Sequence, residues 1–327
     1  MAAIGLAKGG DGVVGYLIRR IFQALVVTFI VTLITLLLVH LLPGGPVRGL
    51  LGPRATAQQV TYYTHLYGFD QPIWTQYGKW VWQLLQGNLG YSPKNNQQVT
   101  SEIALFLPKT IVLVLIGTVV SLIFGIPLGV YQAVKRYTAG DYALTGLSFV
   151  GYATPTFFVG LLLVQWFAVD THIFPPFAPQ SSSVLGVLSQ PQALVLPVLA
   201  YAFVLYALWS RYMRSSVMDN LVQDYVRTAR AKGASERRVL WGHVFRNSLT
   251  AIVTLLGLSL PTLVAGAILV EVVFNYPGMG LAFFNAAQNF DFPTLLGFTI
   301  IATAATILGN LLADVSYAVI DPRVRYS

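Results

Sequence analysis

Apolar residues run almost without interruption through six stretches, 21–42, 111–131, 144–169, 194–209, 249–274 and 294–320, and polar residues gather between them. By length and hydropathy each stretch reads as one membrane-crossing helix, since roughly 20 apolar residues in a helix match the thickness of a hydrocarbon core. Prolines fall within these stretches at Pro127, Pro155, Pro197 and Pro261. Each removes a backbone donor and frees a carbonyl, so kinks are expected there, with neighbouring helices absorbing the freed groups. Gly257, Gly266, Gly297 and Gly309 read as points of close helix contact. Residues 1–20 read as a short amphipathic cytoplasmic lead closed by Arg19 and Arg20. The first stretch ends in His40 and Pro43-Gly44-Gly45-Pro46 instead of a small-residue cleavage site, so it is expected to remain as a span.

Residues 43–108 contain no spanning run. They carry Tyr62, Tyr63, Tyr67, Trp74, Tyr77, Trp80, Trp82 and Tyr91. Such amphipathic rings suit either a membrane interface or a small core of their own, and the pattern leaves both open. The segment reads as extracytoplasmic and partly helical, followed by a five-helix core over 109–327.

Composition sets the class. The chain is 55% hydrophobic and 10% charged, against about a quarter charged in a soluble domain, which makes it an all-α polytopic membrane protein. Six spans put both termini on one side. With the N-terminus inside, the inner segments hold fifteen of the twenty Lys and Arg, leaving Arg48, Arg54, Lys79, Lys94 and Lys109 outside. That asymmetry places both termini in the cytoplasm. It also accounts for the net charge of +8 without invoking nucleic acid, because the charges lie between apolar spans and not on a folded basic face. There is no cysteine, which excludes disulfides, thiolate chemistry and Cys-ligated metal.

One polar segment stands apart. Within a cytoplasmic loop at 211–247, residues 224–247 read DYVRTARAKGASERRVLWGHVFRN. Asp224 is placed to cap a short helix, and Gly233 to end it in the left-handed conformation that glycine adopts most cheaply. Two short helices joined at a glycine follow. Thr228, Ala229, Ala231 and Ala234 are small enough for another protein to approach the backbone, and Arg227, Arg230, Lys232, Arg237 and Arg238 surround them with positive charge. Charge alone is what any cytoplasmic loop carries. The small residues and the glycine joint are not needed for topology, and they mark the loop as a docking element.

Catalytic chemistry is not indicated. No G-x-x-x-x-G-K-[ST] phosphate loop occurs, and His40, His65, His172 and His243 are scattered with no hydrolase or metal-binding spacing. Glu271 and Asp314 are the acids closest to a span interior. Both lie towards the ends of their stretches, where interfacial or subunit-contact roles are expected in preference to ion coupling.

The segment 227–246 resembles the EAA loop of ABC importer permeases. Gly233 falls on its glycine and Ala229 on its second alanine, while Arg227 stands for the acid, Thr228 for the first alanine and Arg246 for the final proline. RTARAKG is the form associated with peptide-importer permeases. Over nearly its whole length the chain is similar to the B-type subunit of dipeptide and oligopeptide importers, a group that includes forms serving nickel. The ordered strings are LLPGGP at 41–46, GFDQP at 68–72, GNLGYS at 87–92, LPKT at 107–110, FGIPLGVYQAV at 124–134, YATPTFFVG at 152–160, EVVFNYPGMG at 271–280, DFP at 291–293 and DPRVR at 321–325. Gly45 stands where an Asp is usual.

The resemblance implies a type I ABC importer permease fold in the cytoplasmic membrane of a bacterium or archaeon. It implies a homologous second permease completing the pore, two cytoplasmic ATPases binding ATP and Mg, and an extracytoplasmic substrate-binding protein received in part by residues 43–108. The docking contact would be Arg227, Thr228, Ala229, Arg230, Ala231, Lys232, Gly233, Ala234 and Arg237. The fifth span would line the route, with Ser259 and Thr262 flanking Pro261 and with Gly257 and Gly266 thinning the wall. No catalytic, cofactor or metal residue is implied in this chain. An ion-coupled secondary carrier and a nickel-chelate permease are the alternatives to dipeptide or oligopeptide import.

Overall fold

Long apolar runs become long helices. The structure, a computed structural model, describes residues 11–41, 45–52 and 54–320, the side chains at 11–17, 20, 39, 45, 258–266 and 310–320 excepted. The first part of the chain forms α1 (Asp11–His40), α2 (Gly45–Leu51), α3 (Ala57–Tyr67), α4 (Ile73–Leu85), a hairpin of β1 (Tyr91–Ser92) and β2 (Gln97–Gln98), and α5 (Val99–Val134). There follow α6 (Ala139–Ala153), α7 (Thr156–Leu163), α8 (Val184–Leu188), α9 (Pro191–Leu221), α10 (Asp224–Ala231), α11 (Glu236–Arg238), α12 (Phe245–Val273), α13 (Met279–Gln288) and α14 (Phe292–Ile320). Wider π-helical turns sit at Val164–Asp170 and Val239–Val244.

Among the described residues five helical segments are long and apolar enough to cross a membrane, or six if α6 and α7 count as one broken span. That pair corrects the expected continuous stretch at 144–169, because its helices bend by 106° at Thr154 and Pro155. Proline biases the residue before it towards extended backbone, and Thr154 is extended with φ −83° and ψ 126°. Pro155 then serves at the start of α7, where its missing N–H costs no helical hydrogen bond. Helices α5 and α9 continue through Pro127 and Pro197.

The chain packs as two compact units, one of residues up to Pro108 with Gly278–Leu308, the other of Lys109–Pro277 with the end of α14. In the first, Val99, Ile103, Met279 and Phe298 form a buried cluster. Gly297 belongs here as the sequence suggested, since a Cβ on it would run into Val99. The hairpin is tied down by polar contacts. Ser92 donates its hydroxyl to the Asp291 carboxylate, while Asn95 and Gln97 donate side-chain amides to Glu102 at 2.6 and 3.1 Å. Thr294 reaches the other Glu102 oxygen at 3.1 Å. Burial pushes the Asp291 carboxyl above its ordinary range, and the nearby Glu102 carboxylate adds to the shift.

The second unit is built on α5 against α9. A Cβ on Gly125 would lie 2.8 Å from the Cβ of Trp209, and one on Gly129 2.7 Å from the Cβ of Met213. Such separations are too short for any larger residue, so glycine permits this approach of backbones. A buried polar seam runs beside it. The Trp209 indole donates to Ser121 at 2.9 Å, Ser210 to Gln132 at 2.6 Å, and Gln132 to Thr145 at 3.1 Å. Thr145 donates to Asp141 at 3.2 Å, and Arg214 pairs with the same carboxylate at 3.0 Å. These hydrogen bonds link α5, α6 and α9 through side chains that low-polarity surroundings require to be paired.

The loop between the fourth and fifth spans

Helix α9 ends at Leu221, and Gln223, extended with φ −71° and ψ 153°, opens α10. The expectation that Asp224 caps this helix is corrected. Asp224 lies in the first turn itself, and no side chain caps the start. Its acidic charge still complements the helix N-terminus, and it pairs loosely with Arg227 at 3.4 Å.

The other end is closed as the sequence suggested. Gly233 has φ +79°, its N–H donates to the Arg230 carbonyl at 2.9 Å, and the Ala234 N–H donates to the Ala229 carbonyl at 3.2 Å. These two bonds with a left-handed glycine form a Schellman motif, which satisfies carbonyls that a helix end leaves orphaned. Arg230 then reaches across the turn to Glu236 with two hydrogen bonds, at 2.8 and 3.0 Å. Three residues of α11 pass into the π-helical turn and so into α12.

Burial divides α10 into two faces. Val226 is fully buried and Ala229 nearly so, in a cluster with Val130, Ala133, Trp209, Met213, Val217, Val239, Val244 and Ile252, against which Ala234 also packs. Of the expected contact residues, Ala229 therefore faces the chain's own interior. Arg227, Thr228, Arg230, Ala231, Lys232, Gly233 and Arg237 are exposed together. Beside them Ser235, Arg237, Arg238 and Trp241 line an open surface recess. Sequence reading passed over Trp241. Its position two residues before His243 in a basic loop was the available signal.

The remaining expected sites separate from this loop. Helix α12 runs through 258–266, and the side chains of Ser259, Pro261, Thr262 and Gly266 lie outside the described residues, as does that of Asp314. Gly257 is half-buried. Glu271, for which an interfacial or subunit-contact role was expected, is fully buried within its own unit, where Thr110 donates to it at 2.6 Å. Next to it the Tyr276 hydroxyl donates to the Lys109 carbonyl at 2.7 Å, and the Lys109 ammonium donates to the Ser181 carbonyl at 3.2 Å. Helices α5 and α12 are thereby joined at the end of α12 remote from the loop.

Comparison with known proteins decides the class. The family described as binding-protein-dependent transport system inner membrane component matches residues 125–326, and its N-terminal counterpart matches 13–114. The chain belongs to this family. It is a permease subunit with the type I ABC importer fold, set in the inner membrane. It is 34% identical over 313 residues to the oligopeptide transport system permease protein AppB of Bacillus subtilis, covering 95% of this chain and 99% of the relative. It is 35% identical over 311 residues to the glutathione transport system permease protein GsiC of Escherichia coli, with the same coverage, 95% and 99%. Both relatives are permease subunits, so the expectation of a transport subunit in place of an enzyme has its counterpart in them.

Proposed function

We propose that this permease forms half of the pore of an ATP-driven importer of short peptides, and that α10 with its glycine turn is where a cytoplasmic ATPase docks. The observation that carries the reading is the division of α10. Its apolar face is used up inside the permease, while Arg227, Thr228, Arg230, Ala231 and Lys232 stay uncovered on a joint locked at Gly233. An exposed, rigid, basic element suits an acidic groove on a partner. Rigidity matters because a contact shifts the pore between two states only by the difference in its energy between them.

The partners follow from the family. A homologous permease would complete the pore, two ATPases would hold ATP and Mg, and a soluble binding protein would deliver the peptide on the opposite side of the membrane. The concentration of Lys and Arg in 211–247 supports a cytoplasmic loop and cytoplasmic termini. Ala229 and Ala234 would act from beneath, setting how closely α10 sits on the core. The stretch of α12 through Gly257, Ser259, Pro261, Thr262 and Gly266 would line the route with small and hydroxylated residues, a surface indifferent to peptide side chains. Peptide as substrate class is supported by the names of the relatives, one for oligopeptides and one for glutathione, itself a peptide.

The test is co-purification with the subunits encoded beside it, followed by ATPase assay in lipid with and without peptide-loaded binding protein. A complex of two permeases and two ATPases, stimulated by loaded binding protein, is the expected result. A chain that purifies alone and moves solute only down an ion gradient would overturn the reading.

A further inference from the structure

Helix α4, IWTQYGKWVWQLL, turns about 100° per residue and so presents three faces. Ile73, Tyr77, Trp80 and Leu84 share the half-buried one. Here the Tyr77 hydroxyl lies 2.8 Å from Thr32 Oγ1 of α1, and its ring meets Phe29 edge-on with centroids 5.4 Å apart. Thr75, Lys79 and Gln83 make an exposed polar face. Between the two runs a stripe of Trp74, Gly78, Trp82 and Leu85, whose three large side chains are 65%, 63% and 75% exposed.

The depth of Tyr77 identifies what covers that stripe. Thr32 and Phe29 lie inside the apolar window Ile21–Leu38 of the first span. Thr32 is six residues short of Leu38, roughly 9 Å along the helix axis. Helix α4 is therefore held against the side of a membrane span, below its apolar end. Helix α1 likewise leaves Ile30, Ile34, Leu37 and Leu38 exposed. Indole rings prefer this boundary, where the ring meets acyl chains and the N–H meets headgroups.

We propose that α4 is an interfacial anchor, with Trp74, Trp82 and Leu85 seated in the phospholipid leaflet on its side of the membrane and Thr75, Lys79 and Gln83 in water. The anchor fixes the height of the segment between the first span and α5. It rests on the chain being a membrane permease and is independent of what is transported.

The chain has no cysteine, so single cysteines carry a spin label without background. The assembled transporter in lipid nanodiscs would be labelled at Trp74→Cys, Trp82→Cys and Leu85→Cys, and separately at Thr75→Cys, Lys79→Cys and Gln83→Cys. Collision with oxygen, which dissolves in lipid, and with a water-soluble nickel chelate would then be measured. Oxygen should dominate at 74, 82 and 85, with the ratio reversed at 75, 79 and 83. Nickel dominance at all six positions would overturn the anchor. So would nickel access at 74, 82 and 85 that disappears only when the soluble binding protein is added, because the stripe would then belong to a protein partner. Leu85, the last residue of α4, keeps the measurement available if a tryptophan variant fails to assemble.

Discussion

Helices α10 and α4 are both short, both amphipathic, and both hung between membrane spans, yet they dispose of their apolar faces in opposite ways. Helix α10 presses Val226 and Ala229 into the interior and shows arginine and lysine outside. Helix α4 covers one flank with α1 and leaves two tryptophans and a leucine uncovered beside it. Amphipathicity alone thus says little about a partner. The chemistry of the face that remains open does: a charged face calls for a polar, oppositely charged surface, and an aromatic face at membrane depth calls for lipid.

The strongest way to break this contrast is Val226→Asp, which would put a carboxylate where α10 meets the core. An unpaired buried charge costs about 3 kcal/mol or more, so the loop should detach and the ATPase fail to co-purify while the spans still insert. Retained co-purification would show that the seating of α10 is immaterial. Next comes Gly233→Val, which forces a β-branched residue to φ +79°. The strain of about 1–3 kcal/mol should leave the complex assembled but lower peptide uptake per ATP hydrolysed, and unchanged coupling would argue against a rigid joint. Trp82→Lys acts on the other helix. Charge near a membrane interface costs about 0–1 kcal/mol, so thermal stability should fall modestly in bilayers and hardly at all in detergent. Equal loss in both would refer Trp82 to protein packing. The smallest effect is expected from Arg230→Ala, which removes an exposed ion pair with Glu236. Exposed pairs contribute little, so folding should be unaltered while the salt dependence of ATPase association becomes shallower.

Much of this was legible in the chain, and the reasons differ from place to place. The spans follow from apolar length, and Gly233 from the need for a left-handed residue where a helix stops in a polar loop. Pro155 was legible as an interruption but not as a break of 106°, because Pro127 and Pro197 interrupt helices that continue. Asp224 misled because an acid suits both a cap and a first turn, and only backbone dihedrals separate the two. Least legible were the pairings between distant strings. GNLGYS meets DFP through Ser92 and Asp291, and LPKT meets EVVFNYPGMG through Thr110 and Glu271 and through Tyr276 and the Lys109 carbonyl. Each string looks like a loop motif in isolation, and its partner lies more than 150 residues away. The same holds for Gly125 and Gly129, whose need for glycine resides in the backbone of α9 opposite them.

The glycine contact between α5 and α9 has a mechanical consequence. Val226 and Ala229 share one cluster with Val130 and Ala133 of α5 and with Trp209, Met213 and Val217 of α9. A load applied to α10 therefore bears on two long helices side by side, not on one after the other. Close-packed interiors yield little under such loads, and backbones that meet without intervening side chains leave almost no slack to be taken up. Beneath the loop, α10 thus rests on α5 and α9 together, beside the place where glycine lets their two backbones meet.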